Sequence, residues 1–204
     1  MKTKLLSIAT ILCSFLFISA TPDGYTPGNK AIDFKLKNVD SKMVSLADYN
    51  DAKGFIVTFT CNHCPFSKAY EDRIIALHNK YAALGYPVVA INSNDKDISP
   101  EDSFEGMVGR AKEKNFPFAY LYDESQEIAK TYGATRTPHM YILKKEGSDL
   151  TVKYVGAIDD NSDDATMVTK KYLENALDEI IAGKDVTTNS TKAIGCTIKW
   201  KGTK

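Results

Sequence analysis

Apolar and polar positions along this chain follow two different periods, and the switches between them mark its elements. Gly24 to Lys30 is a Gly/Pro-rich lead-in, after which Ala31 to Lys37 alternate apolar and charged residues as a half-buried strand would. Val44 and Leu46, with Ser45 as a cap, predict a short strand or turn and then a brief helix. Gly54 to Thr60 is apolar and β-branched almost throughout, the pattern of a central strand covered on both faces. Phe66, Tyr70, Ile74, Leu77, Tyr81 and Leu84 then recur at helical steps until Gly85. Pro87 to Asn92 reads as a second buried strand, parallel to the first if the intervening helix is a crossover.

Further along, Ser99 as N-cap and Pro100 at the first helical position predict a helix to about Lys114. Phe118 to Tyr122 forms a third strand, and Glu124 to Tyr132 a short helix stopped by Gly133. The order to this point is β-α-β-α-β-α. Met140 to Leu143 and Leu150 to Val155 then read as a hairpin around Lys144 to Asp149, hence as antiparallel strands. A helix from about Asp164 to Ala182, ended by Gly183, closes the domain.

The first residues change the context of everything after them. Met1-Lys2-Thr3-Lys4, the apolar run Leu5 to Ile18 and Ser19-Ala20 have the charged, apolar and small-residue regions of a secretory signal. The apolar run is short for a membrane span, so no span is expected in the mature chain. Leu12 stands before Cys13 where lipoprotein processing wants a small residue, and Cys13 is read as part of the discarded peptide. The expected organisation is a signal peptide over 1–20, a domain over 21–183 and a tail over 184–204. Cleavage after Ala20 leaves 184 residues with 24 basic and 26 acidic side chains, enough for one full core. No basic tract suits a phosphate backbone, which argues against nucleic acid as a partner. Export to the periplasm or cell envelope places the chain where disulfides persist.

In that setting Cys61-Asn62-His63-Cys64-Pro65 carries the candidate chemistry, because it joins the buried strand to the helix. A helix N-terminus favours a thiolate, so the placement predicts Cys61 as the attacking sulfur. Cys64, one turn on, is placed to close a disulfide with Cys61 and release a mixed-disulfide partner. His63 can give the thiolate a hydrogen bond or a positive charge and so tune the pair. Asn62 adds a polar amide, and Pro65 fits the first helical turn. This chemistry needs no organic cofactor. A zinc ribbon or finger needs a second ligand pair at similar spacing, which the chain lacks, so no metal is assigned.

Parallel strands, then a hairpin, with a Cys-x-x-Cys at a strand-to-helix junction, point to an α/β thioredoxin-like fold of three layers, with a central mixed sheet, an N-terminal strand extension and the C-terminal tail. Gly28 to Phe34 with Val44 to Tyr49 is similar to the opening segment shared by redoxins and peroxiredoxins, Cys61 to Cys64 to their active site, and Thr137-Pro138 to a cis-proline loop. On these motifs the chain resembles the redoxin-type thiol-disulfide oxidoreductases of bacterial cell envelopes. The resemblance implies exchange with protein thiols or disulfides and with a redox partner still to be identified. It also implies that Pro138 is cis and lies against a Cys61–Cys64 disulfide, with the Thr137 backbone free to pair with an extended substrate. Two departures stand out: Thr60 replaces the usual tryptophan, and Phe55 replaces the buried acid that many relatives use to move the proton of the second cysteine.

Two other readings stay open. Envelope copper chaperones of the same fold bind copper through two cysteines and a histidine, for which Cys61, Cys64 and His139 are the candidates here, although those proteins usually carry three residues between the cysteines. A thiol peroxidase reading rests on Thr58, three residues before Cys61, and on Arg136 as a cation for the thiolate, but Gly54 stands where its pattern wants proline. His78 receives no function. Cys196 is the odd cysteine of the mature chain, open to intermolecular pairing, a regulatory disulfide or burial as an inert thiol. Ile194, Ile198 and Trp200 around it are apolar enough to dock the tail. Asp159 to Asp164 lacks the glycine and distal glutamate of an EF-hand loop and is read as cap and charge for the last helix.

Overall fold

A computed structural model describes residues 24–203. The segment read as an export signal, with Cys13, lies outside them. The alternation over residues 31–37 is divided between two strands, Lys30–Ala31 (β1) and Lys35–Asn38 (β2), rather than forming one. Asp33 is the reason. Its carboxylate accepts from the Phe34 N–H (2.6 Å), the Leu46 N–H (2.8 Å) and the Ser45 hydroxyl (2.6 Å), which draws the backbone out of the ladder. Met43–Ser45 (β3) pairs antiparallel with β2, and Ser45 caps the short 3-10 turn Leu46–Asp48 in a reciprocal capping box.

Gly54–Phe59 (β4) is buried along its whole length, as its apolar run predicts, and delivers the chain into Pro65–Tyr81 (α1). Val88–Asn92 (β5) lies parallel to β4. The helix expected from Ser99 is broken: a 3-10 turn, Pro100–Asp102, precedes Phe104–Lys114 (α2), whose N-cap is Ser103, with its hydroxyl accepting from the Gly106 N–H. Ala119–Tyr122 (β6) runs parallel to β5. Glu127–Tyr132 (α3) starts three residues later than the pattern predicts, because the Asp123 carboxylate accepts from the Ala129 N–H and Gln126 takes a left-handed conformation at φ 65°.

After Arg136–Thr137 (β7), the strands His139–Glu146 (β8) and Asp149–Gly156 (β9) form the expected hairpin, with Gly147 at φ 65° in its two-residue turn. Tyr172–Ile181 (α4) begins eight residues after the expected Asp164. The acidic run serves turns instead. Asp164 caps the 3-10 turn Ala165–Met167, Asp160 accepts from the backbone of Thr169 and Lys170, and Asp159 faces inward to Tyr70 and Arg73. Cys196–Thr197 (β10) is the last strand.

The main sheet has eight strands in the order β1-β9-β8-β4-β5-β6-β2-β3, while β7 and β10 pair as a small sheet of their own. Side chains of β4 alternate between its two faces. Phe55, Val57 and Phe59 join Tyr132, Tyr141, Leu143 and the tail residue Ile198, with Trp200 packed alongside. Ile56 faces the other way, toward Tyr70, Ile74 and Leu77 of α1 and Leu173 and Leu177 of α4. Met107 of α2 packs on Ala90 and Tyr120 beside them. The result is the three-layer thioredoxin-like arrangement, with the tail docked on the α3 side. Of the three apolar tail residues, Ile198 is buried, Trp200 is partly buried and Ile194 is exposed. No helix among the described residues is long and apolar enough to cross a membrane.

Candidate active site

The end of β4 and the start of α1 fix the Cys-x-x-Cys loop. Cys64, not Cys61, is the N-cap of α1, with extended backbone at φ −68° and ψ 125°, and Pro65 follows in the first turn. Cys61 therefore sits one loop upstream of the helix N-terminus that the sequence pattern assigned to it. It is a free thiol, 2% exposed, with its Sγ 3.1 Å from Thr137 Oγ1 and 3.6 Å from Ser67 Oγ. It also borders a small cavity walled by Ile74, Ala90, Phe116, Phe118 and Tyr120.

The broken helix at Pro100–Asp102 supplies a group that sequence reasoning missed. Asp102 is fully buried, and its carboxylate accepts from the Asn62 N–H (2.5 Å) and from the side-chain amides of Asn92 (3.3 Å) and Asn94 (2.9 Å). The same carboxylate lies 2.6 Å from His63 Nδ1. Sulfur of Cys61, ring of His63 and carboxylate of Asp102 all come within 4.8 Å of one another. Hydrogen bonding to Cys61, and then to Asp102, raises the His63 pKa to about 9 against the opposing effect of its partial burial. His63 is thus a cation at neutral pH, held against the Cys61 sulfur by a buried acid. A cation oriented by a buried acid beside a sulfur is the arrangement that favours a thiolate.

Asn62 does more than add polarity. Its side chain donates to the Glu101 carbonyl (2.7 Å) and accepts from the Tyr120 hydroxyl (2.9 Å), which pins the loop to the 3-10 turn and to β6. The Thr137–Pro138 bond is cis, and Thr137 is buried against both active-site cysteines, its carbonyl oxygen 3.4 Å from Cys64 Sγ.

The expected pairing of Cys61 with Cys64 is not the one present: Cys64 is disulfide-bonded to Cys196. The cause is topological. β10 lies antiparallel on β7 with Cys196 opposite Thr137 and Thr197 opposite Arg136, which carries the tail cysteine to the helix N-cap. The Thr137 edge is consequently occupied by the protein's own tail rather than left free. Arg136 donates to the Gly195 carbonyl at 3.4 Å, so its guanidinium is engaged with the tail.

The copper ligand set read from the sequence is not assembled. Cys64 is committed to Cys196, and His139 turns its Nδ1 to accept from the Thr135 N–H at 3.4 Å, with burial pushing its pKa down to about 4. Among the described residues, the group of three potential ligands is Cys61, His63 and Asp102. A soft thiolate beside a hard buried carboxylate makes that a mixed donor set, and the same three groups account for one another as a sulfur, a cation and the acid that orients it.

The family model for the AhpC/TSA family matches residues 27–154, more than half of the chain. The thiol-disulfide oxidoreductase ResA of Bacillus thuringiensis is 25% identical over 123 residues, which are 59% of this chain and 65% of that protein, just under two thirds of its length. An uncharacterized conserved protein from Geobacillus kaustophilus has a crystal structure that superposes with a TM-score of 0.79 at 41% identity, over 87% of this chain and 94% of that one. A thioredoxin-family thiol:disulfide interchange protein from Chlorobium tepidum shares the fold at a TM-score of 0.52 and 19% identity, over 65% of this chain and 87% of that one.

Proposed function

The chain belongs to the AhpC/TSA family, and from that membership and the arrangement of its cysteines we propose that it is a thiol-disulfide oxidoreductase exchanging disulfides with protein partners outside the cytoplasm. The observation that carries the reading is the contact set of Cys61: a free thiol next to Cys64, with His63 and Asp102 on one side and Thr137 on the other. The name of the ResA relative supports the same activity, and the signal-like residues 1–20 support export.

In this reading Cys61 is the attacking sulfur. Its thiolate stands beside the His63 cation, whose ring Asp102 fixes in position, and attacks a partner disulfide. A mixed disulfide forms on Cys61 and one partner thiolate leaves. Cys64, when its thiol is free, attacks Cys61 Sγ, closes the Cys61–Cys64 disulfide and releases the second partner sulfur. Thr137 and Pro138 line the approach, and Asn62 holds the loop still while the bonds exchange. The reverse sequence oxidises a partner dithiol with the same groups.

Two measurements test this. Cys61→Ser and Cys64→Ser should each abolish catalysed reduction of a model protein disulfide, and retained turnover in Cys61→Ser would overturn the assignment. Equilibration in glutathione buffers gives the direction of flow, since a potential near about −120 to −200 mV fits an oxidase or isomerase and one near about −270 mV a reductase.

A further inference from the structure

We propose that Cys196 is a third redox cysteine of this site, and that its strand holds the place of the substrate, an extended cysteine-bearing polypeptide segment, until Cys61 displaces it. The proposal rests on the thiol-disulfide exchange reading above and adds to it what the site binds and how it opens.

The edge of β7 is already occupied. Its pairing partner, β10, presents a cysteine opposite Thr137, and that cysteine is covalently joined to Cys64. The site therefore already contains one example of the ligand it accepts: an extended backbone, antiparallel to Arg136–Thr137, with a sulfur aimed at the N-cap of α1. The fit is close. The Ile198 N–H donates to the Thr135 carbonyl at 3.3 Å, and a Cβ added to Gly195 would fall on the Thr137 carbonyl oxygen, so only glycine lets the strand lie this near.

Besides its pairing with β7, the Arg136 contact with the Gly195 carbonyl and the disulfide, the tail is anchored on either side of this segment. Upstream, the Thr191 N–H donates to the Val155 carbonyl at 3.0 Å, and the Thr191 hydroxyl meets Tyr154 and Ala157. Downstream, Ile198 is in the core and the Lys199 carbonyl accepts from Asp95 N–H (2.9 Å) and the Gln126 side chain (2.8 Å). Residues 192–197 bridge the two anchors and can lift without unfolding either. Lys192, Ile194 and Thr197 of that bridge are exposed and Cys196 is half-buried, whereas Cys61 and Cys64 are buried.

The opening step balances without an outside oxidant or reductant. Cys61, as the thiolate beside the His63 cation, attacks Cys64 Sγ. The Cys61–Cys64 bond forms as the Cys64–Cys196 bond breaks, and Cys196 leaves as a thiolate that takes up a proton. One disulfide is exchanged for another and the oxidation state of the protein is unchanged. Cys196 then no longer ties the bridge to the helix, and the Thr137 edge accepts an incoming strand.

The test uses the full-length mature chain. Disulfides are mapped by mass spectrometry of acid-quenched, non-reduced digests across a series of glutathione ratios. Because the exchange is redox-neutral, both Cys64–Cys196 and Cys61–Cys64 peptides should appear, in a ratio that stays constant as the glutathione ratio changes. A single isomer at every ratio overturns the proposal. Separately, a synthetic peptide with one free cysteine thiol, which attacks Cys61 Sγ of the Cys61–Cys64 disulfide, is reacted with the oxidised wild type, with oxidised Cys196→Ser and with oxidised Gly195→Val, which keeps all three cysteines. Both variants should react at least tenfold faster than the wild type. Equal, non-zero rates in all three overturn the role of the tail and leave the oxidoreductase reading standing. No reaction in any of them, with Cys61 of the reduced proteins still alkylated, removes the oxidoreductase reading and this proposal together.

Discussion

Asp102 Oδ2 stands 2.6 Å from Nδ1 of His63, joining a turn before α2 to the loop between β4 and α1. The contact joins a carboxylate with no exposed surface to an imidazole that still reaches solvent. The ring is therefore held at Nδ1 with the Cys61 sulfur close by.

Replacing that acid with its neutral amide, Asp102→Asn, should lower the His63 pKa from about 9 toward the ordinary value. With less cation beside the sulfur, alkylation of Cys61 by iodoacetamide at pH 7 should slow by roughly tenfold, the effect of one pKa unit. The variant should also lose about 2 kcal/mol of stability, because the new amide turns a donor toward groups that themselves donate. A histidine NMR titration reads the first effect. An unchanged midpoint would show that Asp102 only braces the turn.

The raised His63 pKa also sets a direction for stability against pH. In the unfolded chain His63 titrates near its ordinary value of 6.5 and in the fold near about 9. Below the lower value it is protonated in both states and its contribution is complete; as pH rises through the upper value the folded state loses that proton and the contribution disappears. The stability gap between the wild type and His63→Gln, read from urea titrations, should be widest near pH 6 and close between pH 6.5 and about 9. A gap that widened with rising pH would reverse the assignment.

How much of this site is legible in the sequence depends on how local its causes are. β4 is plain because six consecutive residues are buried on both faces and need no partner to announce it. The cysteine pair and the Thr137-Pro138 loop are likewise visible as motifs. Asp102 is not, because in the sequence it is an ordinary acid in the first turn of a helix. Its role comes from Asn62, His63, Asn92 and Asn94, which two other loops bring to it, and those contacts are also what interrupt the helix. Cys196 could be flagged as the odd cysteine, but its partner is chosen by the pairing of β10 with β7, some sixty residues apart in the chain.

The ion pair of Glu71 with Arg110 keeps α2 against α1. Arg110 donates from Nε to Oε1 at 2.8 Å and from a terminal nitrogen to Oε2 at 2.6 Å, and Glu71 is 5% exposed. Glu71→Ala should destabilise the fold by about 3 kcal/mol, because the guanidinium is left largely desolvated with only the exposed Glu113 as counter-charge. The double variant Glu71→Ala with Arg110→Met should recover much of that loss in urea unfolding. If the double variant is no more stable than the single one, unpaired charge is not the cause.

Thr58 gives the converse case, a polar group the fold would do better without. It lies in the middle of β4, fully buried, between Met140 of β8 and Ala90 of β5 in the ladders. Its hydroxyl oxygen is the one buried side-chain polar atom among the described residues with no hydrogen-bond partner. Leaving such a group unpaired in an apolar layer opposes folding. Valine keeps the β-branched shape that suits the strand and exchanges the hydroxyl for a methyl of similar size. Thr58→Val should therefore raise stability by about 1 kcal/mol, seen as a higher urea midpoint with an unchanged slope. A loss of stability instead would mean that the hydroxyl is satisfied in solution by a group that only Thr58 reaches, and its place three residues before Cys61 would then make it part of the site.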